Sequence, residues 1–341
     1  MDRLKYWIKN GIAHLLFYTG VLFLLKWIRL RKRAVILMYH RVLKEDERRG
    51  SFSHPGIIVD PDTFSRQLDC LHKYFRVLTQ TEFLQHLEGR NFPSSSVLLT
   101  FDDGWLDNYT NAFPILKEKG LPAIIFLATG FIGNEKIFWQ ERLAASLFGC
   151  FLDRGEKARK ILGRCGLENI GAMSDEEAKK AIRTFVSFQK EQDQDTLRSL
   201  VEEITESSSS ASRESHGVDK FLDWKQVQEM SGHSLFFGCH SVHHHILTHI
   251  PPEVAVREIR ESKKAIEDNG LKSPPLFCYP NGNHNDRIKE EVARAGFRAA
   301  MSTIPGYIDS STDRYGLRRI NIHQHISNST PLFMARILGL F

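Results

Sequence analysis

The sequence predicts an α/β fold: a distorted (β/α) barrel of about seven parallel strands, with a helical insertion and an N-terminal membrane-interface helix. Three observations predict it. Short, nearly continuous apolar runs recur between residues 34 and 322, the pattern of strands buried on both faces of a parallel sheet. Segments with helix-spaced apolar residues alternate with those runs through short connections. At 341 residues, the chain is long enough for one large domain with room for an insertion.

In order, residues 34–39 (AVILMY) read as the first strand, and residues 50–60 as a loop over the site. Pro61 to Tyr74 carries Phe64, Leu68 and Leu71 on one helical face. Residues 76–78 form a short strand, and Thr81 is placed to cap a helix through Leu87. The central strand is 97–101, followed by a helix over 108–119 and a strand over 121–128. Residues 135–222 break the rhythm: they are charged, helically spaced, and contain the low-complexity run SSSSAS at 207–212. They are expected to insert beside the barrel mouth, with Trp139 and Trp224 at either side in packing or pocket-shaping roles. A strand ending at Cys239, a helix over 252–269, a strand over 275–279, a helix over 285–295 and strands over 297–302 and 318–322 complete the barrel domain, 34–341.

Residues 1–33 form a separate element. The run 11–25 is apolar apart from His14, Thr19 and Gly20, and a Lys/Arg cluster follows it. Fifteen residues fall short of the roughly 20 that span a bilayer core. A helix lying on the membrane, its cations meeting anionic lipid, is therefore favoured over a single span, and packing on the barrel is the plain alternative. The expected location is the cytoplasmic membrane face, with the periplasmic or extracytoplasmic side as the alternative. A net charge of +5 with no basic, aromatic-interleaved groove argues against nucleic acid as a partner. Five cysteines at 70, 150, 165, 239 and 278, without a CxxC pair, read as reduced core residues.

The chemistry-bearing residues stand at strand ends, where α/β folds place their sites. Asp102 and Asp103 end the central run, and Gly104 lets the backbone turn beneath them. Diverging side chains there let one carboxylate ligate a metal while the other takes a proton. A second run ends at His240, with His243, His244 and His245 following. Two His and one Asp make the open donor set of a catalytic metal. A third run ends at His40.

TFDDG at 100–104 and HSVHH at 240–244 resemble the first two motifs of polysaccharide deacetylases of the NodB-homology type, the fourth carbohydrate esterase family. The resemblance covers roughly residues 34–330 and implies that Asp102 is the general base and that Asp103, His240 and His244 hold one divalent ion. Some relatives space the two His one residue wider, which would substitute His245. The ion implied is Zn2+, with Ni2+, Co2+ or Fe2+ as alternatives. LMYHRV at 37–42 resembles the opening of the exopolysaccharide-type subgroup, whose barrel is circularly permuted and whose His, here His40, is the general acid. PNG at 280–282 resembles the turn whose backbone N–H binds the oxyanion, which assigns Pro280 and Asn281 to that role. Many members carry an Arg two residues before that Pro to support the base. This chain has none there, and His323 and His325 are held in reserve as acids. The implied reaction is removal of N-acetyl groups from amino sugars of a polysaccharide or lipid-linked glycan. Deformylation, O-deacetylation and an inactive carbohydrate-binding barrel are the alternatives. A two-carboxylate glycosidase is disfavoured, since its acids must flank the bond.

Overall fold

The computed structural model describes residues 3–191, 194–207, 217–272 and 275–341. Its strands are β1 Ala34–Tyr39, β2 Arg41–Val42, β3 Ile58–Val59, β4 Arg76–Val77 and β5 Ser96–Phe101, then β6 Ala123–Leu127, β7 Leu235–Cys239, β8 Leu276–Cys278, β9 Ala299–Met301 and β10 Ile320–Asn321. β2 and β3 pair by themselves. The rest form a parallel sheet in the order β10-β1-β5-β6-β7-β8-β9, with β4 also on β5. β4 meets Ser96 and Val97, whereas β6 meets Thr100 and Phe101, so the two share one edge of β5 at different heights. Every residue of β1, β5 and β6 is buried, as continuous apolar runs require. A bridge between Met301 and Leu317, followed by the β10–β1 pairing, curls the sheet toward a barrel.

Local chemistry sets the helix starts. Asp60 accepts from the Thr63 N–H at 2.7 Å and Pro61 opens the helix Pro61–Tyr74. The next helix, Gln80–Glu88, is capped by Thr79 rather than Thr81, because Glu82 at the third helical position returns the hydrogen bond and closes a capping box. The helix expected over 108–119 begins as a π-turn, Asn108–Ala112, before Phe113–Lys119. The last strand is shorter than expected, residues 320–321 only.

Two compact units emerge: residues 1–44, 55–134 and 221–341 in one, and 45–54 with 135–220 in the other. The second has its own apolar core, including Leu143, Leu147, Ile182 and Val201, against which Trp139 packs. It also claims part of the segment expected to be a loop at 50–60. Residues 45–50 are helical, Phe52 joins that core, and buried Asp219 accepts from the Ser51 hydroxyl and the Phe52 N–H. Beyond Ser207 the Ser-rich run lies outside the described residues.

The N-terminal segment is two helices rather than one, α1 Arg3–Tyr18 and α2 Val21–Arg29, meeting at 85° across Gly20, whose φ of 82° is left-handed. Among the described residues no single helix is long and apolar enough to cross a membrane.

Candidate active site

The strand ends β1, β5 and β7 deliver the site. Parallel pairing holds Tyr39 beside Phe101, and the Asp102 N–H donates to the Tyr39 carbonyl at 3.0 Å, so His40 and Asp102 emerge together. His40 Nε2 lies 3.8 Å from Asp102 Oδ2. The His240 N–H donates to the Leu127 carbonyl, which brings the third strand end alongside.

Asp103, His240 and His244 converge. Asp103 Oδ1 is 3.5 Å from His240 Nε2 and 3.4 Å from His244 Nε2. His240 Nδ1 sits 2.7 Å from the Cys278 carbonyl, which can only accept, so the proton is on Nδ1 and Nε2 presents a lone pair. Trp105 Nε1 donates to the other Asp103 oxygen at 2.8 Å, leaving Oδ1 facing the imidazoles. Three donors of this kind within one coordination sphere fit a divalent cation with open positions. Asp102, His240 and Cys278 also lie close enough to share an ion. Burial, though, raises the Cys278 thiol pKa, and the Asp102 oxygens are engaged elsewhere, so the first set is the better cradle.

The turn after β7 explains which histidine faces inward. Buried Glu258 accepts from the Val242 and His243 N–H groups and sits 2.6 Å from His243 Nδ1. His245 turns toward the same carboxylate, Nδ1 to Oε1 3.9 Å, while His244 turns toward Asp103. Burial works against the Glu258 charge, but these donors hold its carboxyl below the usual range. Asp103, Ser241, His244 and Asn281 all have positive φ, backbone strain of the kind that collects at functional sites.

Asp102 has an arginine partner, supplied from elsewhere than the Pro280 turn, which carries none. Arg319, just before β10, donates from both terminal nitrogens to the two Asp102 oxygens, each at 2.7 Å. Its Nε donates to the Ser302 carbonyl across the β9–β10 seam, and one terminal nitrogen is 3.0 Å from Cys278 Sγ. Both partners are buried. Burial opposes the Asp102 charge, but the guanidinium outweighs it and holds the carboxyl well below the usual range. Burial lowers the His40 pKa, with Asp102 and Asp103 opposing. Cys278, buried as a core cysteine is expected to be, also touches Asp102 and Arg319.

A second buried pair fixes the His40 strand end. Arg41 Nε donates to Asp107 at 2.9 Å, the other Asp107 oxygen accepts the Val42 N–H at 2.7 Å, and Arg41 lies 4.2 Å over the Trp105 ring. Asn108 donates to the His40 carbonyl and Asn111 to the Val42 carbonyl. The π-turn aims both amides at this segment, a device common at functional sites. Phe221 stacks on Trp105 with ring centroids 4.4 Å apart.

Pro280 and Asn281 form the turn after β8, where Asn281 has φ 57° and Gly282 φ 82°. A Cβ on Gly282 would come within 2.7 Å of the Thr303 nitrogen, so only glycine fits. His323 precedes the helix Gln324–Ser327 that carries His325, their rings 6.1 Å apart. Sequence reasoning missed Arg319, Trp105, Glu258 and the Arg41–Asp107 pair. The available signals were a charged pair, Arg318-Arg319, inside a strand run, and a tryptophan directly after the Asp-Asp-Gly turn.

A family model described as polysaccharide deacetylase matches residues 89–300. The Bacillus subtilis protein YxkH is 22% identical over 307 residues, 89% of this chain and 77% of that protein. The poly-beta-1,6-N-acetyl-D-glucosamine N-deacetylase of Staphylococcus epidermidis is 36% identical over 112 residues, a local match spanning 30% of this chain and 39% of that enzyme. Among solved structures, the Streptococcus pyogenes deacetylase PplD superposes with a TM-score of 0.58 at 21% identity, covering 89% of this chain and 97% of that one. With the model match spanning more than half of its length, the chain belongs to the polysaccharide deacetylase family, NodB-type, with its relatives in the exopolysaccharide branch.

Proposed function

We propose that this protein is a divalent-metal-dependent N-deacetylase acting on glucosamine units of an N-acetylated exopolysaccharide, with Asp103, His240 and His244 as the metal ligands. The single observation that carries the reading is the convergence of those three side chains beside a buried Asp102 that is held ionised by Arg319. A bound ion would supply Lewis acidity, acidifying water and polarising the amide carbonyl. Asp102 takes the proton of the attacking water, and Arg319 keeps that carboxylate charged and oriented. His40, 3.8 Å from Asp102, protonates the departing amine, whose poor leaving ability demands that proton. The Asn281 backbone N–H stabilises the oxyanion. The substrate reading is supported by the staphylococcal relative, whose name specifies a β-1,6-linked N-acetylglucosamine polymer.

The test is acetate release from β-1,6-linked N-acetylglucosamine oligomers, with metal content measured in parallel. The protein is expected to release acetate, to stop after chelation and to recover with Zn2+. Asp102→Asn and His40→Ala should each lower kcat by about 10²–10⁴-fold while the ion stays bound, and Asp103→Ala should lose it. Wild-type turnover in the first two variants refutes the roles of Asp102 and His40, and full activity in the stripped protein refutes the metal.

A further inference from the structure

The N-terminal helix pair has two unlike faces. Its inward face is committed to protein: Ala13, Leu22 and Leu30 are fully buried, Tyr6 donates to Asn328 at 3.0 Å, Lys26 donates to the Tyr74 carbonyl at 2.6 Å, and Arg29 donates to the Leu338 carbonyl. Its outward face is apolar and exposed. Of fourteen large hydrophobic residues exposed among the described residues, ten fall between Leu4 and Ile28, so this is a patch rather than scatter. Leu4, Trp7, Leu15 and Tyr18 recur at helical spacing on α1, and Leu24 and Trp27 continue the patch on α2.

Charge is segregated in the same way. Residues 1–33 carry eight Lys/Arg and one Asp, a charge of +7. The whole chain carries +5, which leaves −2 on the other 308 residues. Lys5, Arg31 and Lys32 are exposed at the margins of the apolar face. Apolar area, Trp and Tyr within it and cations beside it make the profile of a surface-lying membrane helix.

We propose that the outward face of α1 and α2 docks on an anionic lipid bilayer, the pair lying flat on the surface while its inward face stays packed on the protein. A transmembrane arrangement would strip the buried contacts of Ala13, Leu22 and Leu30. The 85° bend also prevents the two helices from acting as one rod. The first turns of α1 touch Asn328, on the segment that leaves β10 from the sheet end where β1 presents His40. The patch runs from that end of the sheet to the opposite one, where Lys26 meets the Tyr74 carbonyl just before β4 and the Leu30 carbonyl accepts from the Ser95 N–H just before β5. For the deacetylation proposed above, a docked chain meets the polymer at the membrane surface. The docking itself does not depend on that activity.

The test is co-sedimentation of the full chain with phosphatidylcholine vesicles, with and without phosphatidylglycerol, in the absence of any glycan. The wild-type protein should sediment with the anionic vesicles and only weakly with the neutral ones. The triple variant Trp7→Ser, Leu24→Ser, Trp27→Ser changes only exposed positions and should lose binding about tenfold or more, with its circular dichroism and its turnover of soluble oligomers unchanged. Arg31→Gln with Lys32→Gln should weaken anionic binding by about tenfold and flatten its salt dependence, which carries the test if the triple variant misfolds. The proposal is overturned if wild-type protein stays in the supernatant, if both variants sediment like it, or if light scattering shows a wild-type dimer that the triple variant dissolves.

Discussion

At the scale of single residues, the site is a set of buried charges, each with one dominant partner. Arg319 decides the behaviour of Asp102. Replacing it, Arg319→Met, removes both hydrogen bonds and leaves a buried carboxylate with burial as its main influence. The acid limb of the kcat/KM profile is therefore expected to move to higher pH, and turnover to fall by at least about 100-fold. A profile whose acid limb does not move would separate Arg319 from the base. The folded-state pKa of Asp102 is depressed, so the pair's stabilisation is present above the unfolded value near about 4 and is lost as pH falls toward the folded one. The same variant should lose about 3–5 kcal/mol at neutral pH and much less in acid, read by urea melts at several pH values. Trp105 reaches the proposed metal ligand Asp103 through one hydrogen bond. Trp105→Phe retains an aromatic ring opposite Phe221 but removes the indole N–H together with part of a fully buried ring, so metal affinity should fall by about 10–100-fold in chelator competition and Tm should fall with the lost packing.

At the scale of elements, short strands with neighbouring turns hold the proposed catalytic and metal-binding groups, and the turns beside His40 and His244 each have an anchor of their own. The His40 segment is anchored from the 105–111 stretch by Asp107. Burial pushes the Asp107 carboxyl above its ordinary range even against Arg41, so the ion pair is costly to hold and costlier to break. Asp107→Ala should destabilise by about 3–5 kcal/mol, whereas Asp107→Asn, which retains an acceptor for the Val42 N–H, should cost less. Equal denaturation midpoints for the two would show that the Val42 hydrogen bond contributes nothing. Glu258 anchors the other turn, gathering two N–H groups and the His243 ring so that His244 is left toward Asp103.

At the scale of the whole molecule, the proposed ion would tie β5 to β7 through Asp103, His240 and His244. Binding to the folded state alone raises stability by about 2.7 kcal/mol at a hundredfold excess over Kd. Zn2+ is therefore expected to raise the Tm of the wild-type chain, and His240→Ala should abolish that shift in a calorimetric scan. An equal shift in both would place the ion elsewhere. The barrel unit and the helical unit of residues 45–54 and 135–220 each have buried apolar residues of their own. This explains why the helical pattern of 135–222 stood out from the βα rhythm.

The sequence by itself determined the α/β class, strands within 34–39, 97–101 and 121–128, and the strand-end placement of His40, Asp102, Asp103 and His240, because burial on both faces and turn chemistry are local properties. Tertiary structure alone decided the rest. Arg319 is 217 residues from Asp102 and reaches it only because the sheet curls and brings the β9–β10 seam across β5. His244 rather than His245 faces Asp103 because Glu258, on a following helix, pins the turn. The N-terminal run, helical by pattern, breaks at Gly20 and divides its faces between protein and surroundings because Asn328, Leu338 and Tyr74 fold back against it. Partner choice of this kind depends on distances that no local pattern encodes.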